Sequence, residues 1–312
     1  MTLLAVPPRG VKDGSGDRSF PVPLPARRLS PLRQMISTAI MMLSAILIGF
    51  IVYIGFVTQL HHDRVQHNAF ARFRTDLANA TAPTGQTRPG EPKKLLRLGT
   101  PVAVLDIPKL HLKEVVFEGT TGGVLEGGPG HLRDTPLPGQ AGTSEVMGRA
   151  FTYGGPFGNL AALQPNDTFT VTTGQGVQNY QVLDIRRKGD PQPVPPTAGG
   201  SRLILATADG GPWAPSGVLR VDADLTSPTQ ASAPLVLVHS QLMPAEQAMV
   251  TDPSTWYGLV LWGQALLIAT GLIAWVRTRW GGWQTWIVAV PVLGFFSLTV
   301  ADQVARLLPN LM

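Results

Sequence analysis

Positions 34–60, QMISTAIMMLSAILIGFIVYIGFVTQL, run for 27 residues without a charged side chain, and 254–276 and 280–301 do the same for 23 and 22 residues. A helix of roughly 20 apolar residues crosses the hydrocarbon core of a bilayer, so each run predicts a transmembrane α-helix. The first is too long for the apolar core of a cleaved signal peptide, about 7–15 residues, and reads as an anchor. Trp256, Tyr257, Trp275, Trp280 and Trp283 flank the later runs, where amphipathic rings sit at headgroup level. Arg27, Arg28 and Arg33 precede the first run, and Arg277 and Arg279 separate the other two. Basic residues favour the cytoplasmic side. Three crossings satisfy both groups if the N-terminus is cytoplasmic and residues 61–253 lie outside a plasma membrane.

Between the spans the pattern changes period. Val65, Phe70, Phe73 and Leu77 recur every three to five residues and predict a juxtamembrane helix over 61–80, followed by a Pro/Gly-rich linker to residue 100. Seven short runs separated by turn residues then predict strands: 101–107, 113–119, 144–148, 167–173, 177–186, 201–208 and 218–225. Many short strands with no long helix between them predict a closed barrel or a sandwich. The expected organisation is a disordered cytosolic tail (1–33), a first span (34–60), a helix and linker (61–100), an all-β domain (101–226), a return segment (227–253), two further spans (254–276 and 280–301) and an extracytoplasmic tail (302–312). His239, within LVLVHSQL, is expected in an extra strand or on the return path to the membrane.

Composition narrows the chemistry. Only 14% of the 312 residues are charged, against about 25% in typical soluble domains. The net charge of +5 comes from scattered basic residues with no interleaved aromatics, so nucleic acid is not an expected partner. There is no cysteine, which removes disulfides, thiol nucleophiles and thiolate-bound metal clusters. His61, His62 and His67 share a helix without a supporting carboxylate cluster, so neither a metal nor another cofactor is expected.

SRLILATADGG, positions 201–211, is a strand ending in a polar, glycine-rich turn, a usual place for catalytic groups. Together with LDIPKLHLKEVVFEGT, GPGHLRDTPLPGQAG, VMGRAFTYGGPFGNLAALQPNDTFTV and VLRVDADL, it resembles the sortases, in particular the class E type of actinobacteria. The resemblance covers about 101–225. It implies a membrane-anchored, eight-stranded β-barrel at the cell surface that transfers peptides through a cysteine, with a histidine handling the proton and an arginine steadying the oxyanion.

The catalytic positions do not carry over. Where the family has Gly-His-Arg, this chain has Gly148-Arg149-Ala150, and where it has Thr-Thr-Cys, this chain has Ala206-Thr207-Ala208. The family arginine aligns with Val218, and Arg220 stands two residues on, on the same strand face. A methyl group forms no acyl intermediate, and an arginine is no general base at neutral pH. The expected function is a non-catalytic binding or assembly module. Arg149, Thr207, Asp209, Trp213, Arg220 and His131 are the candidate groove residues; the resemblance places Arg149 near Asp209 across the former site, where the two either pair or both point into water. Phe151, Tyr153 and Phe157 are expected in barrel packing. One alternative is a hydrolase or transferase using Thr207, Ser216, Asp209, His131 or Asp134. Another is an accessory subunit of a membrane complex, or a self-associating protein, joined through the C-terminal helix hairpin. A protein or peptide partner outside the membrane is expected in each binding case.

Overall fold

A computed structural model describes residues 31–211, 214–251, 255–279 and 282–312. The first apolar run lies in helix α1, Pro31–Val52, which passes through a π-helical turn, Tyr53–Val57, into helix α2, Thr58–Ala78. A one-turn helix α3, Gly122–Leu125, lies within the β-domain. After that domain come helices α4, Thr255–Arg279, and α5, Gly282–Leu307. The α1–α2 stretch, α4 and α5 are each long and apolar enough to cross a membrane. They pack through Met42, Leu266, Ala269, Ile273, Ala289 and Leu293, while Leu47, Ile51, Leu267 and Ile287 point outward. Outward aliphatic side chains are what a lipid-facing surface requires.

The strands are β1 (Thr87–Arg88), β2 (Glu91–Leu95), β3 (Pro101–Ile107), β4 (Leu112–Glu118), β5 (Gly130–His131), β6 (Gly142–Met147), β7 (Thr168–Thr173), β8 (Gly176–Arg186), β9 (Ser201–Gly211) and β10 (Ala214–Leu225). β1 and β2 form a separate hairpin; the other eight close a barrel in the order β10-β8-β7-β3-β4-β5-β6-β9. The β4–β5 and β6–β9 pairs are parallel and the rest antiparallel. Alternate residues fill the lumen, among them Leu105, Val171, Tyr180, Leu203, Leu205 and Val221, and Phe157, Leu160 and Leu163 from the β6–β7 connection join them. Closure leaves the barrel itself without an open sheet edge among the described residues.

Helix α2 is fastened to this barrel. Ala69 and Phe73 pack with Val104, Val115 and Phe117. Gln66 behaves as a strand neighbour: its Oε1 accepts from Val115 N at 2.7 Å, and its Nε2 donates to Val115 O at 3.1 Å and Gly127 O at 2.8 Å. His62 lies 3.1 Å from Glu114.

Four details complete or correct the expected organisation. The eighth barrel strand is β5, whose two residues are too short to show any period. The 81–100 linker contains the β1–β2 hairpin. Of the two alternatives for His239, the return path holds: its residues form a 3-10 turn, His239–Gln241, flanked by buried Leu237 and Leu242. The last helix runs to Leu307, and the residues beyond it are buried against the barrel instead of trailing as a tail: Asn310, Leu311 and Met312 are 2%, 0% and 3% exposed.

Candidate functional site

β9 alternates between two apolar environments. Leu203 and Leu205 face the lumen, while Ala206 and Ala208 face outward into a second cluster with Met147, Ala150, Leu237, Leu242, Leu311 and Met312. This outer face of β6, β9 and β10 is the candidate groove. Ala208 is paired with Val218 and Ala206 with Arg220, so Arg220 shares the face one pair further along. Its Nε lies 3.9 Å from Glu145. Burial raises the Glu145 carboxyl above its ordinary range, with Arg220 opposing.

The β6–β7 connection delivers Arg149. Gly148 N donates to Ala206 O at 3.0 Å, extending the β6–β9 pairing by one residue. A Cβ on Gly148 would stand 2.5 Å from the Phe157 ring, so glycine is required where the chain leaves the strand. Arg149 then turns inward and is 1% exposed. Its Nη1 donates to Thr152 Oγ1 and its Nη2 to Gly122 O, both at 3.0 Å, and the guanidinium lies 4.9 Å from the Tyr153 ring centre. Burial lowers the Arg149 pKa, with Glu126 opposing. Of the two alternatives for Arg149 and Asp209, the pair does not form: Asp209 lies 3.5 Å from Arg187 and accepts from Ser216 at 3.2 Å. Residue 209 has the opposite parity to Ala208, which turns it away from the groove.

Residues 308–312 lie along the site. Ala150 N donates to Leu311 O at 2.8 Å, and Thr152 donates to Met312 O from both its amide and its hydroxyl at 2.8 Å. Asn310 N donates to Val250 O at 3.0 Å, and its Nδ2 donates to Thr120 O at 3.0 Å and Gln247 O at 2.8 Å.

A polar chain joins the site to the membrane helices. Tyr53 OH donates to Asp302 at 2.9 Å, and Arg306 lies 3.1 Å from Asp302 and 3.7 Å from Glu126. The Asp302–Arg306 spacing is visible in the sequence, but the links to Tyr53 and Glu126 are not. Burial raises the Glu126 carboxyl, with Arg306 and Arg149 opposing. A carboxyl raised in the folded state holds its proton after the unfolded chain has released its own. Stability therefore falls as pH rises from about 4.5 through the folded value. Glu126→Gln is expected to flatten part of that slope, seen as a smaller difference in melting temperature between about pH 5 and pH 7. An unchanged difference would refute the assignment.

The remaining sequence candidates separate. Thr207 is on the lumen side, 2% exposed, and its hydroxyl donates to Gly148 O at 2.9 Å. His131 is fully buried, 3.1 Å from Glu118 and 3.0 Å from Pro136 O, in a structural position. Trp213 lies outside the described residues. Phe157 packs in the barrel core as expected; Tyr153 packs instead with Tyr53, Ala301 and Ala305 of the membrane helices, and Phe151 is 37% exposed. Two features have no local signal in the sequence: the Asp134–His239 contact of 2.6 Å and the docked 308–312 segment. Each joins residues that are far apart along the chain.

Residues 105–215 match the family model described as the sortase domain. The matched span runs from β3 into β10 and supports a sortase-type barrel. No curated protein matches the chain. A sortase D5 transpeptidase of Clostridium perfringens is similar at 21% identity, over 53% of this chain and 98% of that one, with a TM-score of 0.41. A mutant of sortase E from Streptomyces avermitilis is similar at 29% identity, over 49% and 100%, with a TM-score of 0.36. Sortase E1 of Streptomyces coelicolor, solved with a tripeptide in the active site, is similar at 21% identity, over 41% and 90%, with a TM-score of 0.36.

Proposed function

We propose, from the sortase domain matched by residues 105–215, that this chain is a membrane-anchored protein of sortase type that binds a peptide segment without cutting it. On this reading the N-terminus is cytoplasmic and the barrel stands outside the plasma membrane as an assembly module. The observation that carries the proposal is Ala208 on the outward face of β9, in a chain with no cysteine. Peptide transfer through a thioester needs a sulfur nucleophile and a base to activate it. Ala208 has neither function, and Arg149, which donates through Nη1 to Thr152 and through Nη2 to Gly122, is no base. The outer face is aliphatic, and the backbone amides of 150–152 beside it donate to a peptide segment, that of residues 311–312, the kind of contact with which peptides are held.

A hydrolase with another nucleophile fits less well. The Thr207 hydroxyl is committed to Gly148 O, and His131 is buried against Glu118. Purified full-length protein, incubated in detergent with a fluorogenic sorting-type peptide and an amine acceptor, is expected to release and join no product above a heat-treated control. Cleavage or transfer that survives repurification would overturn the proposal.

A further inference from the structure

Residues 309–312 contact the barrel as a bound peptide would. They form a turn in which Met312 N donates to Pro309 O at 2.8 Å, and this turn lies against the amides of 150–152. Two apolar side chains are buried and one carboxamide is enclosed. Asn310 is the selective element, because its Nδ2 donates to the backbone carbonyls of Thr120 and Gln247. A carboxylate at this position would set an anion against two acceptors inside a buried site, which costs the full desolvation of an unpaired charge. Leu311 and Met312 belong to the same apolar cluster as Ala206 and Ala208, so the segment and the outward face of β9 share one buried patch.

We propose that the groove is a receptor for a peptide turn with an asparagine followed by two apolar residues, and that 310–312 is its resident occupant, which an incoming segment of the same type must displace. This inference rests on the binding function proposed above and specifies its ligand. The polar chain from Arg306 to Glu126 ties the resident segment's root, the end of α5, to the loop beside the groove.

The test uses the full chain in detergent and a labelled synthetic peptide with the sequence of residues 308–312, Leu-Pro-Asn-Leu-Met, together with its Asp-substituted counterpart at the third position. Wild-type protein is expected to bind the Asn peptide weakly, because the site is filled. Asn310→Asp should undock the resident segment and bind the Asn peptide at least ten-fold more tightly than wild type does, and at least ten-fold more tightly than it binds the Asp peptide. Equal affinity of both proteins, or equal affinity of Asn310→Asp for the two peptides, would overturn the proposal, as would absence of binding by folded Asn310→Asp. A second measurement does not depend on peptide affinity. In this cysteine-free chain, Ala208→Cys supplies a single thiol. Its maleimide labelling is expected to be at least ten-fold slower than in the Ala208→Cys/Asn310→Asp double variant, and equal rates would overturn the proposal. Neither result bears on cleavage, so failure here is distinct from failure of the non-catalytic reading, which only turnover would bring down.

Discussion

Arg186→Met is expected to destabilise the barrel by about 3–5 kcal/mol, the usual cost of stranding one member of a buried ion pair. Arg186 on β8 grips Asp222 on β10 with both edges of its fork: Nε donates to Oδ2, and Nη2 donates to Oδ1 at 2.9 Å. Asp222 is fully buried, and its neighbours on this outer face include Arg220 and Glu145. Without the guanidinium, a carboxylate is left in a site that water does not reach. For a domain of this size the loss corresponds to a drop of roughly 6–20 °C in melting temperature. The pairing explanation makes a second demand. Adding Asp222→Leu to Arg186→Met should recover most of the loss, because an apolar pair of similar volume carries no uncompensated charge. Melting curves of the two single variants and the double variant close the cycle. A double variant as unstable as the sum of the singles would show that packing, rather than charge, holds this seam.

Arg149→Ala is the second large effect, expected at about 2–5 kcal/mol from the cavity and from the acceptors it abandons. The side chain is among the largest that are fully buried, and three groups depend on it: Gly122 O, Thr152 and the Tyr153 ring. Thr152 in turn holds Met312, so the variant should also loosen the docked segment and speed labelling of a thiol placed at position 208. Arg149→Met keeps the aliphatic stem and removes a desolvated charge, so its cost is expected to be clearly smaller. Arg149→His should resemble Ala more than Met, because one imidazole does not span Gly122 and Thr152 together. Equal melting temperatures for wild type and Arg149→Ala would show that the arginine is incidental to the fold. The structural role assigned to it here would then be wrong.

These two residues also show where reading the sequence stops. The chemistry at 149 and 208 is legible in the linear chain, because a residue's identity alone decides whether it can act as nucleophile or base. The partners of Arg149 are not. An arginine at the histidine position invites a salt bridge to Asp209, yet the pleat turns 209 to the opposite side from Ala208, and the guanidinium finds a carbonyl at the start of α3 instead. His131 looks like an available base in a loop and is a buried member of β5.

The three apolar runs, seven of the eight barrel strands and the missing sulfur follow from the sequence by itself, because each depends on local hydrophobic period or on residue identity. What only the tertiary structure decided is what covers the outer face. Thr152 and Met312, 160 positions apart, meet through one backbone oxygen of Met312. No local periodicity encodes such a contact. It arises because barrel closure presents the 150–152 amides at the surface, while α5 ends where its next residues must bury their apolar side chains or leave them in water.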